Sequence, residues 1–134
     1  MRHVEVVTAT GRLCGLISDG VRVFRGIRYG ERITPNRRFS ELRDPQQAGN
    51  APVSIFPQLP NRLTQVMGDV LKDVSQSEDA FLLNLWAPVN GDNAPVLVFL
   101  HGGAWVSGGG TALRYDGERL ARESGAIVAT VNSA

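Results

Sequence analysis

Pro95-Val96-Leu97-Val98-Phe99-Leu100-His101-Gly102-Gly103-Ala104 is the stretch that decides how this chain folds. Val96 to Leu100 is a continuous apolar run, the pattern of a strand buried on both faces at the centre of an α/β sheet. A glycine-rich loop, Gly102 to Gly110, follows it directly. Asp116 to Ser124 then places Leu120 and Ala121 among charges and is closed by Gly125, which predicts a short helix with a glycine stop. Ala126-Ile127-Val128-Ala129-Thr130-Val131 is a second buried strand. Strand, loop, helix and strand together make one βαβ unit.

Upstream of this unit, Phe81-Leu82-Leu83-Asn84-Leu85-Trp86 is a further apolar strand, separated from Val96 by Pro88-Val89-Asn90-Gly91-Asp92. Leu63, Val66, Met67, Val70, Leu71 and Val74 recur at helical spacing, so Leu63 to Val74 is expected to form a short helix. Between Tyr29 and Gln58 periodicity fades and Pro35, Pro45, Pro52 and Pro57 intervene, which predicts a long surface loop. The N-terminal runs Val4 to Val7, Arg12 to Ile17 and Val21 to Ile27 are separated by Thr10-Gly11 and Asp19-Gly20. Both dipeptides suit tight turns, and the runs predict an antiparallel meander. Residues 1–134 are expected to form one segment of a single α/β domain, with the meander leading into a mostly parallel sheet.

Composition excludes several classes of function. Hydrophobic residues make up 43% and charged residues 20%, ordinary values that argue against disorder. The longest apolar run, Ala94 to Leu100, is far short of the roughly 20 residues that cross a bilayer, so no membrane association is expected. Net charge is +1, and the arginines form no basic block with interleaved aromatics, which argues against nucleic acid as a partner. Glu5 interrupts the N-terminus before any apolar stretch of signal-peptide length, and Cys14 is the single cysteine; both suggest a reducing, cytoplasmic setting. Cys14 has no charged or histidine neighbour in sequence and is expected to be a buried, inert thiol. His3, near the terminus, is expected in solvent.

The chemistry lies in His101-Gly102-Gly103-Ala104. Acyl transfer builds negative charge on a carbonyl oxygen, and a catalyst needs fixed N–H donors aimed at that point with no Cβ crowding the approach. Consecutive small residues after a strand meet that need, and one such donor is worth about 3 kcal/mol of barrier. On the loop alone, a glycine turn or a phosphate-binding loop remains an alternative.

The surroundings resemble the type-B carboxylesterases, the family of bacterial p-nitrobenzyl esterases and the cholinesterases, over nearly the whole chain. Phe24-Arg25-Gly26-Ile27-Arg28-Tyr29-Gly30 is similar to the family's "F-x-G-I-P-Y-A". Arg38-Phe39 matches its "R-F", and Pro57-Gln58 its "P-Q". Ser77-Glu78-Asp79 followed by Leu83-Asn84-Leu85-Trp86-Ala87-Pro88 matches "S-E-D-C-L-x-L-N-V-x-x-P". Pro95 to Ala104 and Tyr115-Asp116-Gly117 complete the order. The resemblance implies the N-terminal part of an α/β-hydrolase fold. It also implies that the backbone N–H groups of Gly103 and Ala104 form an oxyanion hole, with Gly102 allowing close approach. The family places its Ser in Gly-x-Ser-x-Gly, then Glu or Asp, then His, beyond this point. No Gly-x-Ser-x-Gly occurs in these residues, so no nucleophile is assigned here; neither a cofactor nor a metal ion is expected.

Departures from the family are also informative. Arg28 and Gly30 replace its Pro and Ala, and Ala80 replaces the Cys of "S-E-D-C", which removes a disulfide of secreted members.

The resemblance implies that Arg38 and Glu78 form a structural ion pair fastening the loop to the sheet; if buried, loss of one partner would cost about 3–5 kcal/mol. Asp79 is a candidate for satisfying backbone donors. Asn84, inside an apolar strand, requires a hydrogen-bonding partner. His101 is expected to orient the glycine loop, and Trp105 is a candidate wall of the acyl or alcohol pocket, with simple packing as the alternative. Trp86 is expected in the core. Arg25 and Arg28 are candidates for an acidic ligand or for a solvated face. At the scale of the molecule the expectation is a two-chain serine hydrolase acting on a small-molecule ester. A C-terminal chain of the same hydrolase would complete the sheet and supply the triad. A non-catalytic cholinesterase-like interaction protein and an inert fragment are the alternatives.

Overall fold

The computed structural model describes residues 2–47, 49–59, 68 and 71–133. Six strands form one mixed sheet in the order β1-β2-β3-β4-β6-β5. The strands are β1 (Arg2–Thr8), β2 (Gly11–Ser18), β3 (Val21–Arg28), β4 (Leu82–Pro88), β5 (Val96–Leu100) and β6 (Ile127–Val131). The predicted meander is β1 to β3. Thr8 pairs with Gly11 across a two-residue turn, and Ser18 pairs with Val21 across Asp19-Gly20. Asp19 (φ 45°) and Gly20 (φ 78°) are both left-handed, which matches the right-handed twist of the strands they join.

β3 carries an irregularity between Phe24 and Ile27 where it pairs with β4. Gly26 sits there at φ 68°, and its N–H is accepted by Asn84 Oδ1 at 3.0 Å. A fully buried asparagine inside an apolar strand thus satisfies a backbone donor that the bulge removes from the ladder.

One face of the sheet packs against the helix α1 (Glu118–Ser124). Ala121 of α1 meets Val21, Trp86 and Val128, and these four form the core cluster. Gly125 closes the helix at φ 71° and donates its N–H to Ala121 O, as its place after Ser124 predicts.

Three expectations change. Only β5 and β6 pair in parallel, and the other four ladders between described strands are antiparallel, so this part of the sheet is mixed rather than mostly parallel. Within these residues β6 inserts between β5 and β4, leaving β5 at the edge of the described sheet with Val96, Val98 and Leu100 59–64% exposed. The apolar run signals burial in a complete sheet, and among the described residues nothing covers it. Cys14 is exposed, because it lies opposite Glu5 on the open face of the meander. His3 is exposed as expected. The helix expected over Leu63 to Val74 lies largely outside the described residues; Leu71–Asp73 form a turn closed by Val74 N–H to Leu71 O.

Candidate active site

β5 ends at Leu100, and the glycine loop begins where its pairing stops. Gly103 O accepts hydrogen bonds from Val106 N at 3.0 Å and Ser107 N at 3.2 Å, which folds Gly103 to Ser107 into a tight turn. Inside it Ala104 (φ 53°) and Trp105 (φ 60°) are both left-handed, a conformation that disfavours residues bearing a Cβ. Gly103 itself adopts φ 149°, and a Cβ on it would lie 1.5 Å from Ser107 O, so only glycine fits. At Gly102 a Cβ would meet nothing within 4 Å, which leaves room for an approaching group. No hydrogen bond among the described residues uses the N–H of Gly103 or Ala104. The loop borders a cavity of about 500 Å³ whose walls include Phe56, Gln58, His101, Trp105 and Ser133.

His101 spans the root of the loop. Its Nδ1 lies 3.1 Å from Gly102 O, and its Nε2 faces Ser133 N–H at 3.4 Å. A carbonyl beside Nδ1 and an N–H beside Nε2 suit a ring that donates from Nδ1 and accepts on Nε2. Trp105 is 95% exposed on the cavity rim, whereas Trp86 is in the core. Ser107 belongs to the loop turn and Ser133 to the segment after β6.

The other sequence candidates lie away from this cavity. Arg38 and Glu78 meet at 2.6 Å, but both side chains are about half exposed. Solvent screening limits such a pair to about 1 kcal/mol or less, well below the value for a buried one. The better shielded pair is Arg28 with Asp79, joined by two bonds of 2.8 and 2.7 Å. Asp79 also accepts Ile33 N–H at 2.9 Å and lies 3.6 Å from Arg32 Nε. Burial raises the Asp79 pKa, but the Arg28 bonds, the Ile33 N–H and the charges of Arg28 and Arg32 outweigh it, so the carboxyl titrates below its usual range. Arg28, which stands where the resemblance predicts Pro, is therefore occupied within the chain. Arg25 is similarly engaged, 2.9 Å from Asp116 and stacked over Trp86.

Sequence reasoning left two polar residues without a role. Gln58 accepts Gly108 N–H on Oε1 at 2.6 Å and donates from Nε2 to Gly108 O at 3.1 Å. Asn132 accepts Gly110 N–H at 2.9 Å and donates to Ser54 O and Ala80 O. Tyr29 OH donates to Asn132 O, and burial raises the Tyr29 pKa. The only trace of this network in the sequence was the Pro57-Gln58 landmark.

A mixed sheet with a glycine turn at the end of an apolar strand fits the N-terminal part of an α/β-hydrolase, and a solved PNB esterase superimposes on it. The carboxylesterase family model matches residues 2–132, and the chain belongs to that family. It is 38% identical over 133 residues to a probable N-octanoylanthranilate hydrolase of Rhodococcus erythropolis, covering 96% of this chain and 29% of that protein. It is 33% identical to the para-nitrobenzyl esterase of Bacillus subtilis, covering 98% of this chain and 28% of that one. Among solved structures a PNB esterase superimposes with a TM-score of 0.81 at 31% identity, covering 96% of this chain and 27% of the other. A Geobacillus stearothermophilus carboxylesterase does so with a TM-score of 0.73 at 32% identity, covering 96% and 26%. The chain thus spans less than a third of the length of these relatives.

Proposed function

We propose that this chain supplies the oxyanion-binding part of a serine carboxylic-ester hydrolase. The observation that carries this reading is the pair of unspent N–H groups, Gly103 and Ala104, on a cavity wall kept open by Gly102. A serine hydroxyl attacks the ester carbonyl carbon while a histidine takes its proton; the resulting oxyanion is stabilised by these two donors and by a third from the residue after the serine. The alkoxide leaves with the proton held by the histidine, and water releases the acyl group by the same route in reverse.

The Ser, the Glu or Asp, and the His lie on further sequence that covers β5. Support for such a cover is the exposed, wholly apolar edge strand, which as a free surface would invite pairing with another sheet. Intact mass spectrometry under denaturing conditions, after treatment with a fluorophosphonate, tests the reading. One adduct on a polypeptide larger than these 134 residues is the expected result, whether it contains them or accompanies them. A larger protein that takes no label would mean an interaction protein, and these residues alone, unlabelled, an inert fragment.

A further inference from the structure

We infer that Gln58 is a positioning residue for the oxyanion loop, acting on Gly102 to Ala104 through the peptide of Gly108; this rests on the hydrolase function proposed above. The Gln58 carboxamide pairs with Gly108 as one strand pairs with another, taking its N–H at 2.6 Å and giving an N–H to its carbonyl at 3.1 Å. The same Nε2 reaches Phe56 O at 2.6 Å, and the Gln58 backbone N–H is accepted by Gln76 Oε1 at 2.9 Å. The amide is therefore held at both ends, and its two faces of hydrogen bonding leave one orientation.

Gly108 is the point where the loop closes on itself. At φ 124°, a Cβ there would lie 2.3 Å from His101 Nδ1 and 2.4 Å from Gly102 O. Fixing Gly108 therefore fixes the contact surface of His101 and Gly102. The next two residues are anchored independently, Gly109 by packing against Ile55 and Gly110 by Asn132 Oδ1 and Thr130 Oγ1. Between these anchors and β5 the loop carries two left-handed residues, Ala104 and Trp105. Each costs about 1–3 kcal/mol, so the turn persists only where its surroundings impose it. Among the described residues, Gln58 is the side chain that binds the loop between the strained turn and the sheet-anchored Gly110.

The test uses the complete hydrolase with Gln58→Leu and Gln58→Glu, and p-nitrophenyl acetate as substrate. Gln58→Leu is expected to lower kcat roughly 10- to 100-fold while KM changes less than about twofold, since misaimed donors cost transition-state rather than ground-state binding. Its Gly108 amide should exchange hydrogen faster while Gly110 stays protected. Gln58→Glu supplies the donor only when protonated, so its kcat relative to wild type at each pH should rise as pH falls through the carboxyl range. A flat ratio, together with an unchanged kcat for Gln58→Leu in an active enzyme, overturns the role of Gln58 alone. A melting temperature that falls with both constants affected equally marks a merely structural residue and also overturns it. A wild-type complex that neither hydrolyses the ester nor takes the phosphonate label overturns the hydrolase reading, and the proposal with it.

Discussion

At the scale of single residues, the loop is built from positions that tolerate one side chain each. Gly103→Ala would force a methyl carbon to within 1.5 Å of Ser107 O. We expect kcat of the complete hydrolase to fall roughly 100- to 1000-fold, measured by steady-state ester hydrolysis with assembly checked separately. Asp79 makes a different prediction. Its folded-state pKa is depressed by Arg28, Ile33 N–H and Arg32 despite the opposing effect of burial, so its contribution to stability is present above the unfolded value of about 3.9 and is lost as pH falls through the folded one. Urea midpoints measured between neutral and strongly acidic pH should show Asp79→Asn weaker than wild type at neutrality and converging with it in acid. The glycines of the site were legible in the sequence because a Gly-Gly pair after an apolar strand is a local pattern. Gln58 and Asn132 were not, since their bonds join side chains to backbone groups 50 and 22 residues away and leave no periodic trace. Arg28 and Asp79 stand 51 residues apart, and only the folded chain shows that each occupies the other.

At the scale of elements, turn chemistry and apolar runs announced the three strands of the meander, β4, β5, α1 and β6, because each signal is contained within a few residues. Neighbour relations are set by pairing across the chain, and for that reason the inserted position of β6 and the bare faces of β5 escaped a linear reading. The β3 bulge belongs to the same class: Gly26 marks it, yet the reason for Asn84 appears only when β3 and β4 meet. Asn84→Leu leaves the Gly26 N–H buried without an acceptor. It should destabilise the chain by about 1–3 kcal/mol, read as a shift of the denaturant midpoint at constant slope. β5 supports a prediction in the opposite sense. Val98 is 61% exposed here, so Val98→Lys should leave the melting temperature of this chain within a few degrees of its starting value. Where further sequence of a complete hydrolase covers β5 as proposed, the same lysine meets an apolar surface and should lower the melting temperature by clearly more than that.

At the scale of the whole molecule, the sheet joins a self-contained half to an open one. β3, β4, β6 and α1 enclose the core around Trp86, while β5 projects apolar side chains from the edge. An environment-sensitive dye such as anilinonaphthalene sulfonate should bind residues 1–134 in isolation, and bind less when the sequence proposed to cover β5 is present. The strand order β4-β6-β5 also has a consequence for how the chain acquires this shape. As the polypeptide emerges from a ribosome, β5 and its glycine loop appear before β6, and β5 has no hydrogen-bonded place beside β4. It must wait, unpaired, until residues 127–131 arrive and slot between the two. The anchors at Gly110, Thr130 and Asn132 form in that same event. The loop that awaits the oxyanion therefore cannot take shape before residues 127–132 have been made.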